Sequence, residues 1–278
     1  MNDALDDLTM KQSLPLLNHY LDSPTAFAPE SVVEAVRIER GLATELIPQV
    51  CVPEFEGDLT NWLISTGKAK LCKSWACFHT SMFSLKIDNF TCGIVPRTIG
   101  GPYAVLVAEQ TRVSGAHVVL GLTSAGRVSP KMPIPGLVVC TGAIRDEGTS
   151  YHYLPPARMV EASPKVANLL ESELKTLCIP ALSGVVWTTD APYRETKRQI
   201  SNYAKAGVLA VEMQAASLFA FAQAHNFPTG VVAYLSNGVD QAGERFDKGA
   251  LMQEFEVLRQ VCRAGKRFVS CLHQVDKL

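Results

Sequence analysis

The sequence predicts an α/β domain in which a mixed, mostly parallel sheet is covered on both faces by helices, and three observations carry that prediction. From about residue 45 onward, short β-branched runs alternate with longer stretches of helical period. The runs are nearly continuous in Val, Ile and Leu, as strands buried on both faces must be. Glycine-rich or polar turns follow the runs, with Pro102 placed where a first helical residue belongs.

Taken in order, residues 1–44 form an N-terminal arm or cap, where "SPTAFAPE" has the composition of a loop and "ESVVEAVRIERGLA" the period of a helix. Residues 45–278 form one domain. Its strand runs are Ile47–Val52, Met82–Ile87, Phe90–Val95, His117–Leu122, Leu137–Ile144, Ala181–Trp187, Val208–Val211 and Gly230–Leu235. Helical stretches lie between them near 102–115, 163–176, 194–205 and 213–226, and a long amphipathic one runs near 248–273. No repeat, low-complexity tract or linker interrupts the series.

Composition narrows the function. With 278 residues, 47% hydrophobic and 19% charged, the chain can bury a sizeable core. Its net charge of -1 and the lack of a basic run disfavour nucleic acid or an anionic membrane as partner, and leave a small neutral or anionic ligand open. "MNDALDDLTM" lacks the layout of a signal peptide and no apolar run reaches membrane-spanning length, so a cytoplasmic location is expected. The eight cysteines include no CxxC pair, which favours reduced, buried thiols over a metal site.

Ligands of open α/β sheets gather beyond the carboxyl ends of the strands. Four strand ends here are polar or glycine-rich: "RTIGGP", "LTSAGR", "AVEMQ" and "YLSNGVD". Two further loops, "RDEGTSYHYLP" and "WTTDAPYRET", bring Tyr, His, Thr and Asp, a mixture suited to a flat polar ring and a sugar. Neither a Walker loop nor GxGxxG occurs, which argues against mononucleotide binding through those signatures. There is no GxSxG elbow for acyl transfer.

Together and in this order, these motifs resemble the nucleoside phosphorylase family, which includes uridine phosphorylases, hexameric purine nucleoside phosphorylases and methylthioadenosine/S-adenosylhomocysteine nucleosidases. The resemblance runs from about residue 45 to the C-terminus. It implies a three-layer nucleoside-phosphorylase-like fold, cleavage of the N-glycosidic bond of a nucleoside, inorganic phosphate as co-substrate with no other cofactor and no metal, and a homodimer or ring of dimers. "AVEMQAASL" resembles the family's Glu-Met-Glu signature, so Met213 and Gln214 would contact the sugar with Glu212 in support. The competing reading is a buried Glu212 that caps the helix and a Gln214 that faces solvent.

The remaining site residues follow from the same resemblance. Thr98, Gly100, Tyr151, His152, Asp190 and Arg198 would complete the nucleoside pocket, and Ser124 would lie near the reacting carbon. Asn237 stands where amino-purine members have an acid. An amide cannot protonate the base, so pyrimidines or 6-oxopurines are favoured over adenosine types. Asp240, three residues on, reads as a loop residue or a displaced acid. The family's phosphate-binding arginines have no counterpart in "VCVPEFEGDLT", near Gly121 or near Cys77. Three readings stay open: Arg97 or Arg127, with Ser124, binds phosphate; Glu54 or Glu56 activates water instead; or the chain binds a nucleoside without turnover.

Overall fold

The computed structural model describes residues 14–238 and 251–275. In chain order the elements are α1 (Pro29–Arg40), β1 (Val50–Glu54), α2 (Asp58–Ser65), β2 (Ala69–Leu71), β3 (Phe83–Ile87), β4 (Phe90–Pro96), α3 (Gly101–Val113), β5 (Val118–Arg127), β6 (Gly136–Asp146), β7 (Met159–Glu161), α4 (Pro164–Leu174), β8 (Ala181–Thr189), α5 (Lys197–Lys205), β9 (Ala210–Glu212), α6 (Ala215–Ala224), β10 (Thr229–Gly238) and α7 (Leu251–Val275). Short 3₁₀ turns occur at Pro15–Leu17, Thr149–His152 and Pro192–Arg194.

All ten strands belong to one mixed sheet, ordered β10-β6-β8-β9-β5-β1-β4-β3-β2, with β7 on β6 and a further pairing of β10 with β5. That last pairing closes β5, β10, β6, β8 and β9 into a ring, from which β1, β4, β3 and β2 fan outward. Pairings β1–β4, β1–β5, β5–β10, β6–β8 and β8–β9 are parallel, and the others are antiparallel.

Strand alternation builds the layers. On β5, Val118, Leu120 and Leu122 join one core, while Val119 and Ala125 join the other. On β10, Val232 and Tyr234 face the first core, and Val231, Ala233 and Leu235 the second. The first core is closed by α2, α4 and α7, the second by α3 and α6, giving three layers. Such near-complete burial of aliphatic strands is the largest favourable contribution here, about 1.5–3 kcal/mol for each large side chain. A smaller cluster seats α5 through Ile200, Tyr203 and Ala204 against Trp187 and Val211. The arm joins the body through Val33 and Val36 of α1, which pack with Ala76 and Val113.

Every strand and helix expected from sequence is present, with ends shifted by a few residues. Three elements were not expected: β2 and β7, of three residues each, and α2, which begins within the stretch read as a phosphate loop. All eight cysteines are free thiols; Cys178 and Cys271 are exposed and the rest are buried.

The contact that fixes the site lies where α3 meets α6. A Cβ built on Gly101 would fall 2.1 Å from Ser217 Oγ and 3.3 Å from Thr149 Oγ1, so only glycine lets these segments approach so closely. Gly101→Ala should therefore lower stability by about 1–3 kcal/mol through overpacking, read as a reduced midpoint in urea unfolding.

Candidate active site

Glu212, at the end of β9, is 3% exposed. Its Oε2 accepts from the backbone N–H groups of Gln214 at 2.7 Å and Ala215 at 2.8 Å, and its Oε1 accepts from Thr188 Oγ1 at 2.5 Å. Thr188 Oγ1 in turn accepts from the Ala216 N–H at 2.9 Å. The carboxylate thus satisfies amides at the start of α6 that have no partner within the helix. Burial pushes the Glu212 carboxyl up to about 7, against the pull of those hydrogen bonds, and the Glu147 charge adds to the rise.

The structure therefore confirms the helix-capping half of the competing reading and corrects the other half. Gln214 does not face solvent: it is 0% exposed, and neither of its side-chain amide atoms has a hydrogen-bond partner. Its Nε2 lies 3.4 Å from where a Cβ on Gly121 would sit. A buried amide without partners costs about 1–3 kcal/mol per group.

Glu147 ties the loop after β6 to α6. Its Oε2 accepts from Ser150 N at 2.9 Å and from Ser217 Oγ at 2.6 Å, while Oε1 is buried without a partner. Arg145 crosses the same loop, donating from Nε to Ser150 Oγ, from Nη1 to Pro155 O and from Nη2 to Leu154 O. Its guanidinium stacks on Tyr151, whose hydroxyl donates to Arg145 O at 3.0 Å. Asp190 accepts from the Gly148 N–H at 2.8 Å, and burial raises its carboxyl. Tyr151 is thus occupied within its own loop, and the ring of His152 rests against that of His19, centroids 4.1 Å apart.

At the ends of β1 and β5, Glu54 is 3% exposed and takes up both oxygens in local bonds. Oε1 accepts from Gly57 N at 2.6 Å, and Oε2 from Thr60 N and Thr60 Oγ1 at 3.3 and 2.6 Å. Burial raises its carboxyl as well. Glu54 O accepts from both Thr98 N and Thr98 Oγ1, which fixes the turn into Gly100, itself at φ +82°. A cavity of about 40 Å³ beside Ser124 is lined by Glu54, Glu56, Thr123, Tyr234 and Glu254. Arg97 adopts φ +59° and lies over Gly57 so closely that its Cγ is 2.7 Å from the place of a Cβ there. Its Nη2 reaches Asn61 Oδ1 at 3.4 Å.

Strand register brings several of the expected residues to one sheet edge. Ser124 pairs with Tyr234, and Gly126 pairs with both Asn237 and Val211, so the chain leaves β9 into Met213 beside Ser124 and Asn237. Arg127 ends β5 opposite Ala210 and Gly238. Arg198 is exposed on α5. Asp240 lies outside the described residues. Sequence reasoning missed Glu147, Arg145 and Ser217. The acid three residues before Ser150 was the available signal, because Glu147 and Ser150 make a local turn bond. Among the described residues no group of His, Cys, Asp or Glu is arranged to hold a metal ion, and no helix is long and apolar enough to cross a membrane.

Comparison with known proteins gives the family. Residues 62–269 match the Phosphorylase superfamily, and the chain belongs to it. The chain is similar to guanosine phosphorylase of Halorubrum lacusprofundi, 28% identical over 149 residues that cover 52% of this chain and 60% of that protein. It is similar to uridine phosphorylase of Thermococcus kodakarensis, 26% identical over 204 residues that cover 66% and 74%. It is also similar to purine nucleoside phosphorylase of Plasmodium vivax, 24% identical over 167 residues that cover 59% and 66%. The match thus spans less than two thirds of the first of these relatives. The mixed sheet with its two helical layers is the nucleoside phosphorylase fold.

Two measurements check the buried groups. A carboxyl raised from 4.5 to about 7 keeps its proton in the folded chain where the unfolded chain has lost it. Its contribution to stability is therefore whole below the unfolded value and is lost as pH rises through the folded one. Over that window the unaltered chain should lose up to about 1.4 kcal/mol per pH unit relative to Glu212→Gln, read from denaturant midpoints. Gln214→Glu would set a second carboxylate beside Glu212, and no cation among the described residues pairs with that group. It should cost about 3 kcal/mol or more unless it too stays protonated, and calorimetric melting across pH distinguishes the two.

Proposed function

We propose that the chain cleaves the N-glycosidic bond of a nucleoside with inorganic phosphate as acceptor. The observation that carries this reading is Arg97, held in the left-handed region and laid across Gly57 at the start of α2. Strained backbone of this kind costs about 1–3 kcal/mol and persists where function requires it. It brings a guanidinium to the glycine turn that, by family resemblance, holds phosphate, and so supplies the charge that Gly121 lacks.

In this reading Met213 and Gln214 receive the sugar, and the amide of Gln214, buried in the free chain, turns outward to meet the sugar hydroxyls. Thr98, Gly100 and Ser124 line the face from which phosphate approaches. A phosphate oxygen forms the bond to the anomeric carbon as the bond to the base breaks, and the electron pair of that bond leaves with the base. By the family resemblance Asn237 and Asp190 would contact the base, with Arg198 at the margin. Because Asn237 hydrogen-bonds without donating a proton, uridine, thymidine or inosine is favoured over adenosine types. The chain works as a homo-oligomer. The apolar side chains of Phe78, Ile99 and Leu106, exposed around the start of α3, support a subunit contact there.

A second reading, hydrolysis without phosphate, is favoured by the cavity beside Ser124, which is lined by three glutamates and by no basic side chain. Glu54 holds the turn at Gly57, and Glu56, which lines the same cavity, is the candidate to activate water. Chromatography of products from a nucleoside panel, with and without phosphate, separates the readings. Phosphorolysis should yield the sugar 1-phosphate and fall by about two orders of magnitude or more in Arg97→Ala. Equal release of free sugar without phosphate, abolished in Glu56→Gln, would overturn it in favour of hydrolysis. No turnover of any nucleoside would leave a binding-only relative.

A further inference from the structure

We propose that residues 14–28 form a strap latched onto the 147–153 loop by the imidazoles of His19 and His152, and that the latch opens when this pair takes up protons. Within residues 14–27 the side chains that escape exposure are Leu16 and His19, and both meet that loop. Leu16 Cδ1 lies 3.9 Å from the place of a Cβ on Gly148, the residue whose N–H is held by Asp190. His19 meets His152 with ring centroids 4.1 Å apart and planes tilted by 42°. Behind the strap is a cavity of about 770 Å³, bounded below by α3 and the end of α6, so the strap spans a hollow instead of lying on packed core. Elements of this kind open at a small fraction of the global unfolding free energy.

Neutral imidazoles tolerate this contact, and charged ones do not. One proton sets an imidazolium on exposed His152 against the half-buried ring of His19, or the reverse, and a second sets two like charges at stacking distance. The groups that share the cavity are Glu30 on α1, Glu109 and Arg112 on α3, Tyr20 on the strap, Tyr153 beside His152, and His225 after α6. Glu109 is already engaged by His225 Nε2 at 2.7 Å, Tyr153 OH at 3.1 Å and Arg112 Nη2 at 3.4 Å. Glu147 favours the charged form of His152, yet its Oε2 is committed to Ser150 and Ser217. Burial, and then the neighbouring His19, hold His152 below the usual 6.5. The sign follows: the latch contributes fully above that value and weakens as pH falls below it.

Opening frees the loop that carries Glu147, Gly148 and Ser150, so nucleoside binding should weaken with it. That consequence rests on the nucleoside reading of the site, whereas the opening itself does not. Hydrogen exchange on the whole chain without ligand, corrected for the intrinsic pH dependence of exchange, tests the opening. Protection of the segment around Leu17 and Asn18, whose N–H groups bond to Leu14 O and Pro15 O, should fall by up to about tenfold per pH unit from about pH 7 to about pH 5. His19→Phe keeps the ring contact and removes one of the two imidazoles, leaving His152, so its protection should fall less steeply across that range than in the unaltered chain, while His19→Ala should be open throughout. Unchanged protection in the unaltered chain, or the same pH response in His19→Phe, would overturn the latch. In a nucleoside assay KM should rise more steeply over the same range in the unaltered chain than in His19→Phe. A chain that opens as described but turns over no nucleoside at any pH counts against the proposed function and leaves the latch standing.

Discussion

The site depends on two buried carboxylates, Glu147 and Glu212, that take hydrogen bonds from three directions. Glu212 anchors the first turn of α6 to β8 through Thr188, and Glu147 anchors the same helix through Ser217 to the loop after β6. Each carries the desolvation cost of a charge in the core, which hydrogen bonds from amides and hydroxyls offset. Because α6 is held at both points, the chain between β9 and α6 has no freedom to move Met213 and Gln214 away from the sheet edge. Glycine at 101 completes the constraint by letting α3 come against Ser217.

This arrangement gives the site a distinctive electrical character. Carboxylates outnumber cations at the buried end: Glu54, Glu147 and Glu212 lie inside, while Arg97 stands exposed at the rim and Arg145 is spent on its own loop. A positive sugar in the transition state fits such surroundings better than an anion does. Arg97 over Gly57 is the counterweight, and in the proposed reaction the balance between that guanidinium and the glutamates beside Ser124 would decide which acceptor the site tolerates.

Much of the fold was legible in the sequence because strands buried on both faces announce themselves as continuous apolar runs. β2 and β7 escaped because three residues carry no period, and α2 escaped because its start is defined by Glu54, a strand residue folding back to cap it. The edge of the site was legible for the same reason the strands were: polar residues at strand ends stand out against apolar neighbours. Its interior was not. The bond between Glu147 and Ser217 joins residues 70 positions apart, and nothing local to either distinguishes them from surface polar residues. Gln214 shows the limit most clearly, since its position at a helix start allowed both a solvated and a buried side chain, and packing against Gly121 selected the buried one.

The ring of five strands also sets the order in which the molecule can be made. β5 pairs with β1, which precedes it, and with β9 and β10, which follow it by many residues. Until Thr229 has left the ribosome, β5 and β6 wait with apolar edges that have no partner, and loop closure over that separation is slow. A chain that lacks β10 therefore keeps those edges open, and the long amphipathic α7, which follows β10, seals one face of a sheet already closed.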